Sequence, residues 1–310
     1  MADNVVKGRL APSPTGRMHA GNIFAALMAW LVAKSQGGRI VLRVEDLDAQ
    51  RSKQEYIDAV QRDFERLGLF WDEGPYFQHD RTEAYRAAEG KLEQAGLLYP
   101  CFCTRADLHA LSAPHRGEKA VYPGTCRSLS AAERAQHIAQ GRVPAMRLKV
   151  PNETIGLHDG VQGDYRQNLR KDCGDFLVRR SDGAFAYQLA VVTDDAAQGI
   201  TSVVRGVDLL CSTPQQMYLQ DLLGFAHPAY AHVPLVVAER DRRLSKRDHD
   251  AALDALLAKY KTPEAVIGHI AGLTGLSPVS DPATPEELLA SFSMKALPTV
   301  FPDLVQIQWK

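Results

Sequence analysis

With 310 residues, 45% of them apolar and 24% charged, the chain can bury a large core, should form about two domains, and has the composition of an ordinary globular protein. A net charge of -1 excludes any global pull toward nucleic acid, so a polyanionic partner would need a local basic surface. There is no apolar leader and no run of ~18 apolar residues, so we expect a cytoplasmic protein without a membrane partner, and nothing implies a protein partner.

A short apolar run from Val5 reads as a strand, and the stretch Arg9 to Asn22 (RLAPSPTGRMHAGN) then turns sharply before helical periodicity resumes from Ile23. Gly16 and Gly21 lack a Cβ and let the backbone approach a ligand. The helix expected to begin near Asn22 aims its unpaired N–H groups at the same place, which suits an anion. His19 and Asn22 add donors where a nucleotide phosphate would sit.

The helix carrying Ile23, Leu27, Trp30 and Leu31 should end at Gly37 and Gly38. Ile40 to Val44 is then an apolar strand, broken only by Arg43, that ends in Glu45 and Asp46. Strand, helix and strand at this spacing form a βαβ unit with its ligand site at the strands' carboxyl ends. Arg9 and Glu45 therefore share a rim with the glycine loop. Ser52 and Glu55 predict a capping box for a helix running to Gly68, and a further helix should stop at Gly96.

Residues 97–185 lose the alternating rhythm and read as a domain inserted between a first half-sheet, 1–96, and a second, 186–247. Within the insertion Cys101 and Cys103 are followed after eighteen residues by Tyr122 and then by Cys126. Three clustered cysteines in an odd total of five favour a metal over disulfides, and a Zn²⁺ site is expected. For the fourth ligand Tyr122 and His115 are both within reach, and spacing alone favours histidine.

After Phe185 the pattern returns. Tyr187 to Val192 is apolar, and Ile200 to Val204 is a strand ending at Arg205. Thr213 and Pro214 should cap and open a helix, and Tyr230 to Val237 is a further strand leading into the charged loop 239–247. That loop holds Arg243, Ser245 and Lys246 and is a candidate phosphate clamp. Residues 248–310 read as a small helical appendage, with helices opening near Ala252, at Thr262-Pro263 and at Thr284-Pro285.

Pro12-Ser13-Pro14-Thr15-Gly16 through His19-Ala20-Gly21-Asn22, together with Arg243 to Arg247, resembles the paired signature motifs of class I aminoacyl-tRNA synthetases of the glutamate and glutamine group. Asn22 stands where the first motif has its second histidine, and Arg243 where the second motif has its first lysine. The resemblance implies a parallel α/β Rossmann-type fold split by a zinc-binding insertion. It also implies ATP binding by Pro12, Gly16, His19, Gly21, Asn22, Ser245 and Lys246, with His19 and Lys246 catalytic and Mg²⁺ accompanying ATP. Arg9, Ser13, Glu45, Tyr187 and Arg205 match the family's glutamate-binding set, and Cys101, Cys103, Tyr122 and Cys126 its zinc site, which shifts the fourth ligand from His115 to Tyr122.

Because the chain ends where full-length members add an anticodon-binding region, it looks like a shortened relative of glutamyl-tRNA synthetase. Such a relative activates L-glutamate without tRNA and transfers it to queuosine at the wobble position of tRNA(Asp). Arg105, Arg116, Lys119, Arg127, Arg166, Arg170, Lys171, Arg179 and Arg180 could track the phosphate backbone. Three other readings compete: a truncated synthetase charging the tRNA 3′ end, another nucleotidyltransferase of the same sheet type, and a silent tRNA-binding module.

Overall fold

The structure is a computed structural model, and it describes residues 5–104, 107, 121–238, 242–243, 252–301 and 306–309. The chain opens with β1 (Lys7–Leu10), a loop, and α1 (Ala20–Lys34), two residues longer at its start than periodicity suggests. Apolar residues surround α1 on nearly every side, which is the pattern of a helix with no solvent face. It packs on β1 and on helices near the C-terminus, and Ile23, Leu27, Met28 and Leu31 are fully buried.

β2 (Arg39–Val44) and β3 (Glu73–Phe77) lie parallel to β1 in the order β1-β2-β3. Between them α2 (Gln54–Arg66) has Lys53 as its N-cap with no side-chain cap bond. The Ser52/Glu55 capping box therefore does not form: the helix starts one residue later than that pairing requires. α3 (Thr82–Gln94) follows.

β4 (Leu98–Cys101), β5 (Ala145–Leu148) and β8 (Phe176–Arg179) make an antiparallel sheet, with α4 (Ala131–Ala139) between β4 and β5 and the hairpin β6 (Thr154–Asp159) and β7 (Gly163–Asn168) between β5 and β8. A capping box of Ser130 and Glu133 does form at α4.

The apolar run after Phe185 is helical, α5 (Tyr187–Ala197), and leads to β9 (Ser202–Gly206), α6 (Thr213–Leu223) and β10 (Ala229–Val233), with β9 and β10 parallel. Ser212, not Thr213, is the N-cap of α6. The Thr213 hydroxyl is instead engaged by Arg205. β9 lies beside β1, because Thr201 N–H donates to Lys7 O and Lys7 N–H to Thr201 Oγ1, both at 2.9 Å. This gives the order β3-β2-β1-β9-β10, with all the carboxyl ends on one rim.

The expected strand from Tyr230 to Val237 is two strands. Pro234 has no N–H to continue a ladder, and beyond it β11 (Leu235–Ala238) joins a different sheet with β12 (Arg242–Arg243) and β13 (Gln306–Gln308). Between β12 and β13 lie α7 (Leu253–Tyr260), α8 (Pro263–Leu273), α9 (Pro285–Ser291) and the short α10 (Leu297–Val300), with Thr262 and Thr284 capping α8 and α9 as their spacing predicts. Val266, Ile267, Ile270 and Leu288 share one core with α1. Among the described residues no helix is long and apolar enough to cross a membrane.

Candidate functional site

A cavity of about 640 Å³ opens on the carboxyl rim of the sheet. Its walls bring together Arg9, Ser13, Glu45, Tyr187 and Arg205 with Pro12, Gly16, His19 and Asn22. These residues come from four segments, so the two sets expected from the sequence line a single space. Gly21 does not line it: a Cβ there would lie 3.2 Å from the His19 ring and 3.6 Å from Val236 O, so its smallness accommodates His19 and β11 rather than a ligand. Ser245, Lys246 and His115 lie outside the described residues.

The loop between β1 and α1 is held at three points. Thr15 N–H donates to Ser13 O at 2.8 Å, and Glu45 N–H donates to Pro12 O at 2.9 Å, which fixes the end of β2 against the loop. His19 is the N-cap of α1, and the Asn22 side-chain oxygen accepts its N–H at 3.2 Å. Asn22, the departure from the family motif, thus closes the first helical turn, and α1 presents its positive end to the cavity. From the far side Leu253 N–H donates to Met18 O at 2.9 Å and Arg17 pairs with Asp254.

Behind the cavity lies a buried charge network. Arg43, fully buried in β2, donates through Nη1 to Asp195 (2.7 Å) and Gln198 (2.8 Å) and through Nη2 to Glu45 (3.1 Å). Burial opposes its charge, but Asp195, Glu45 and Asp194 outweigh burial and raise its pKa. Arg9 reaches Val204 O at 3.2 Å and lies 3.5 Å from Asp195, which therefore faces both arginines. Asp194 accepts from Gln78, Arg81 and Tyr85 at 2.6 to 2.9 Å. Burial lifts the Glu45 carboxyl above its ordinary range against the pull of Arg43 and Arg9.

Arg205 has its own shell. Nε donates to His232 Nε2 (3.0 Å), and Nη2 to Thr213 Oγ1 (2.9 Å) and Gln216 Oε1 (2.8 Å). Nη1 lies 3.4 Å from the Tyr187 hydroxyl. A Cβ on the next residue, Gly206, would come within 2.9 Å of Leu235 and 2.7 Å of Asp208, so glycine allows β9 to end here.

A second cluster lies in the inserted segment. The thiol sulfurs of Cys101, Cys103 and Cys126 all fall within 4.8 Å of one another and could hold a metal ion. The Tyr122 hydroxyl is 3.4 Å from Cys101 Sγ and 3.8 Å from Cys103 Sγ, Cys103 and Cys126 are 3.6 Å apart, and Cys126 N–H donates to the Tyr122 hydroxyl at 2.9 Å. Arg147 donates to Cys101 Sγ at 3.2 Å and lies 3.8 Å over the Tyr122 ring. Burial works against a Cys101 thiolate, but hydrogen bonds with Tyr122, the Cys103 backbone and Arg147 bring its pKa below the ordinary thiol value; burial and the neighbouring Cys101 push Cys103 up to about 12.

Of the basic residues named as a phosphate track, Arg127 is paired with Asp175, Arg179 with Glu89 and Arg180 with Asp182. Arg105, Arg116 and Lys119 lie outside the described residues. Sequence reasoning missed Asp194, Asp195, Asp159, Gln216 and His232. The available signal was a charged or polar residue inside an otherwise apolar element, as in Ala229–Val233 or Tyr187–Ala197.

Residues 5–298 match the family of tRNA synthetases class I (E and Q), catalytic domain. The chain is similar to glutamyl-Q tRNA(Asp) synthetase of Nitratidesulfovibrio vulgaris, with 44% identity over 95% of this chain and 94% of that protein. It is also similar to the Nocardia farcinica protein of the same name, with 46% identity over 94% and 90% respectively. Among solved structures, a glutamate tRNA ligase from Elizabethkingia meningosepticum in complex with its amino acid superposes with a TM-score of 0.79 and 26% identity. That match covers 94% of this chain and 65% of the ligase, so the chain spans about two thirds of the solved enzyme's length.

Proposed function

The chain belongs to the class I tRNA synthetases of the glutamate and glutamine type, alongside the glutamyl-Q tRNA(Asp) synthetases, and on that premise we propose that it is a ligase that activates L-glutamate with ATP and transfers it to queuosine in tRNA(Asp). The observation that carries this reading is the single cavity in which the amino-acid set and the His19 loop face one another. A substrate with two carboxylates and one ammonium requires cations and an acid. Arg9 and Arg205 offer planar forks, Glu45 a carboxylate for the ammonium, and Ser13 and Tyr187 hydroxyls.

The α-carboxylate is already a nucleophile, so its attack on the α-phosphorus of ATP requires alignment and charge stabilisation and no general base. One carboxylate oxygen bonds to phosphorus, and pyrophosphate leaves with the electron pair of the broken bond. His19 and the α1 N-terminus lie where the nucleotide phosphates would be held, and Lys246, a few residues beyond β12, would neutralise the departing pyrophosphate. Mg²⁺ would accompany ATP. A queuosine hydroxyl then attacks the mixed anhydride, forming an ester and releasing AMP.

The cysteine cluster fits zinc. With Zn–S bonds of about 2.3 Å, a tetrahedron has edges of about 3.8 Å. The separations of the Tyr122 hydroxyl from Cys101 Sγ (3.4 Å) and Cys103 Sγ (3.8 Å), and of Cys103 Sγ from Cys126 Sγ (3.6 Å), approach that size. In this reading Cys101, Cys103, Cys126 and Tyr122 hold one structural Zn²⁺ that folds the insertion 97–185.

The test is ATP–pyrophosphate exchange with each amino acid in turn and no tRNA. Exchange with glutamate alone, followed by ester formation on queuosine-containing tRNA(Asp), is expected. Exchange only after tRNA(Glu) is added, with the ester on the terminal ribose, would overturn the reading.

A further inference from the structure

We propose that Asp159 and His232 form a positioning relay that fixes the guanidinium of Arg205, and that the inserted β6–β7 hairpin thereby sets the geometry of the amino-acid pocket. The inference rests on the reading of the cavity given above and adds two residues to it that do not line the cavity.

The relay follows from hydrogen-bond chemistry. A guanidinium can only donate, so the Arg205 Nε–H directed at His232 Nε2 at 3.0 Å requires that nitrogen to be an unprotonated acceptor. The ring proton must then sit on Nδ1, which lies 2.6 Å from Asp159 Oδ2. Asp159 is itself locked, because its Oδ1 accepts the backbone N–H groups of Val161 (3.0 Å), Gln162 (2.9 Å) and His232 (3.0 Å). Histidine and aspartate side chains are both fully buried, so water does not compete for these bonds.

Arg205 lies at the end of this chain of contacts. Its Nε is held by His232 and its Nη2 by Thr213 and Gln216, which leaves Nη1, beside the Tyr187 hydroxyl, as the nitrogen at the cavity wall. A planar group fixed through two nitrogens cannot rotate about its long axis, so the third is aimed. Asp159 ends β6, and the turn after it is bound to β10 by Gly160 N–H to Tyr230 O and by Gln162 Nε2 to His232 O, both at 2.9 Å. The hairpin thus reaches the pocket from beneath, whereas Arg9, Glu45 and Arg205 come from the parallel sheet.

Two measurements test the relay. Nitrogen-15 NMR of the full-length protein should show His232 protonated at Nδ1 and bare at Nε2, and a proton on Nε2 would overturn the relay whatever the protein's substrate. In pyrophosphate exchange, His232→Phe and Asp159→Asn should raise the glutamate KM on the order of 10- to 100-fold, the scale of losing a hydrogen bond to a charged group, while the ATP KM moves less than about twofold. His232→Gln, which can return an acceptor to Arg205, should recover most of the loss. Unchanged glutamate KM in folded variants, or equal rises for both substrates with glutamine no better than phenylalanine, would overturn the proposal. Failure of the wild-type protein to exchange with glutamate would instead count against the assigned function, leaving the NMR result to judge the relay.

Discussion

The amino-acid pocket and the cysteine cluster are both buried and polar, yet they are balanced in opposite ways. Around the pocket, the arginines find partners within the fold: Arg43 pairs with Glu45, Asp194 and Asp195, and Arg205 donates to the neutral groups of His232, Thr213 and Gln216, while Arg9 Nε and Arg43 Nε make no hydrogen bond. In the cluster, four donor atoms converge beside Arg147, held by its bond to Cys101 Sγ, by the Cys126 N–H bond to the Tyr122 hydroxyl and by contacts of 3.4 to 3.8 Å among the described residues. One region meets most of its charges with groups of its own fold, and the other could share an added cation. The first can be preorganised in the empty enzyme, while the second should depend on metal for its order.

The largest way to test this contrast is to strip the metal. Purified protein should contain about one zinc per chain, and a strong chelator should unfold the insertion while the parallel sheet persists; apparent binding free energies in small zinc domains are about 10 kcal/mol. Metal analysis with melting curves checks this, and an unchanged melt after complete stripping would place the cluster with the self-sufficient pocket. Next, Arg43→Leu should destabilise the protein by about 3–5 kcal/mol, because it removes the central cation shared by the buried carboxylates of Glu45, Asp194 and Asp195. Urea unfolding measures it, and a loss near that of a surface residue would show that the network does not depend on its central charge.

A smaller effect is expected from Tyr122→Phe. It should weaken zinc binding about 10- to 100-fold in competition with a chromophoric chelator, on the scale seen when partners of a metal site are removed. Unchanged affinity would transfer the fourth position to another group, with His115 the alternative raised by spacing.

The smallest effect concerns His79, at the edge of the pocket network beside Asp46. Its hydrogen bond with Asp46, working against partial burial, raises its pKa. A raised folded-state value makes the contribution complete below the unfolded pKa of about 6.5 and lost as pH rises through the folded value. Stability should therefore decline over that window above about pH 6.5, and His79→Gln should flatten the slope.

Much of the pocket is legible in the sequence because class I motifs are local. Pro12 to Asn22 sits on one strand–loop–helix, and Arg9, Glu45 and Arg205 fall at strand ends that short apolar runs identify. What supports them is not legible, because Asp195 acquires meaning only opposite Arg43, 152 residues away in sequence, and Asp159 only beneath His232, 73 away. Local rules also misled where two readings competed. Ser52 and Glu55 have the capping-box spacing, but Lys53 is the N-cap, and Tyr230 to Val237 is apolar apart from His232, but Pro234 divides it between two sheets.

The docking of α7 on the His19 loop has a further consequence. Arg243 is paired to Val237 in β11, and Ala252 bridges to His19, so the chain is anchored at both of these residues. Lys246 is three residues from Arg243 and cannot stray more than about 11 Å from it along a fully extended chain. If Lys246 serves the proposed reaction, a lysine tethered in this way would meet a bound triphosphate at an effective concentration set by the tether, which for short links reaches the millimolar range. In the proposed reaction its encounter with the leaving group would be an intramolecular event, with a rate insensitive to how dilute the enzyme is.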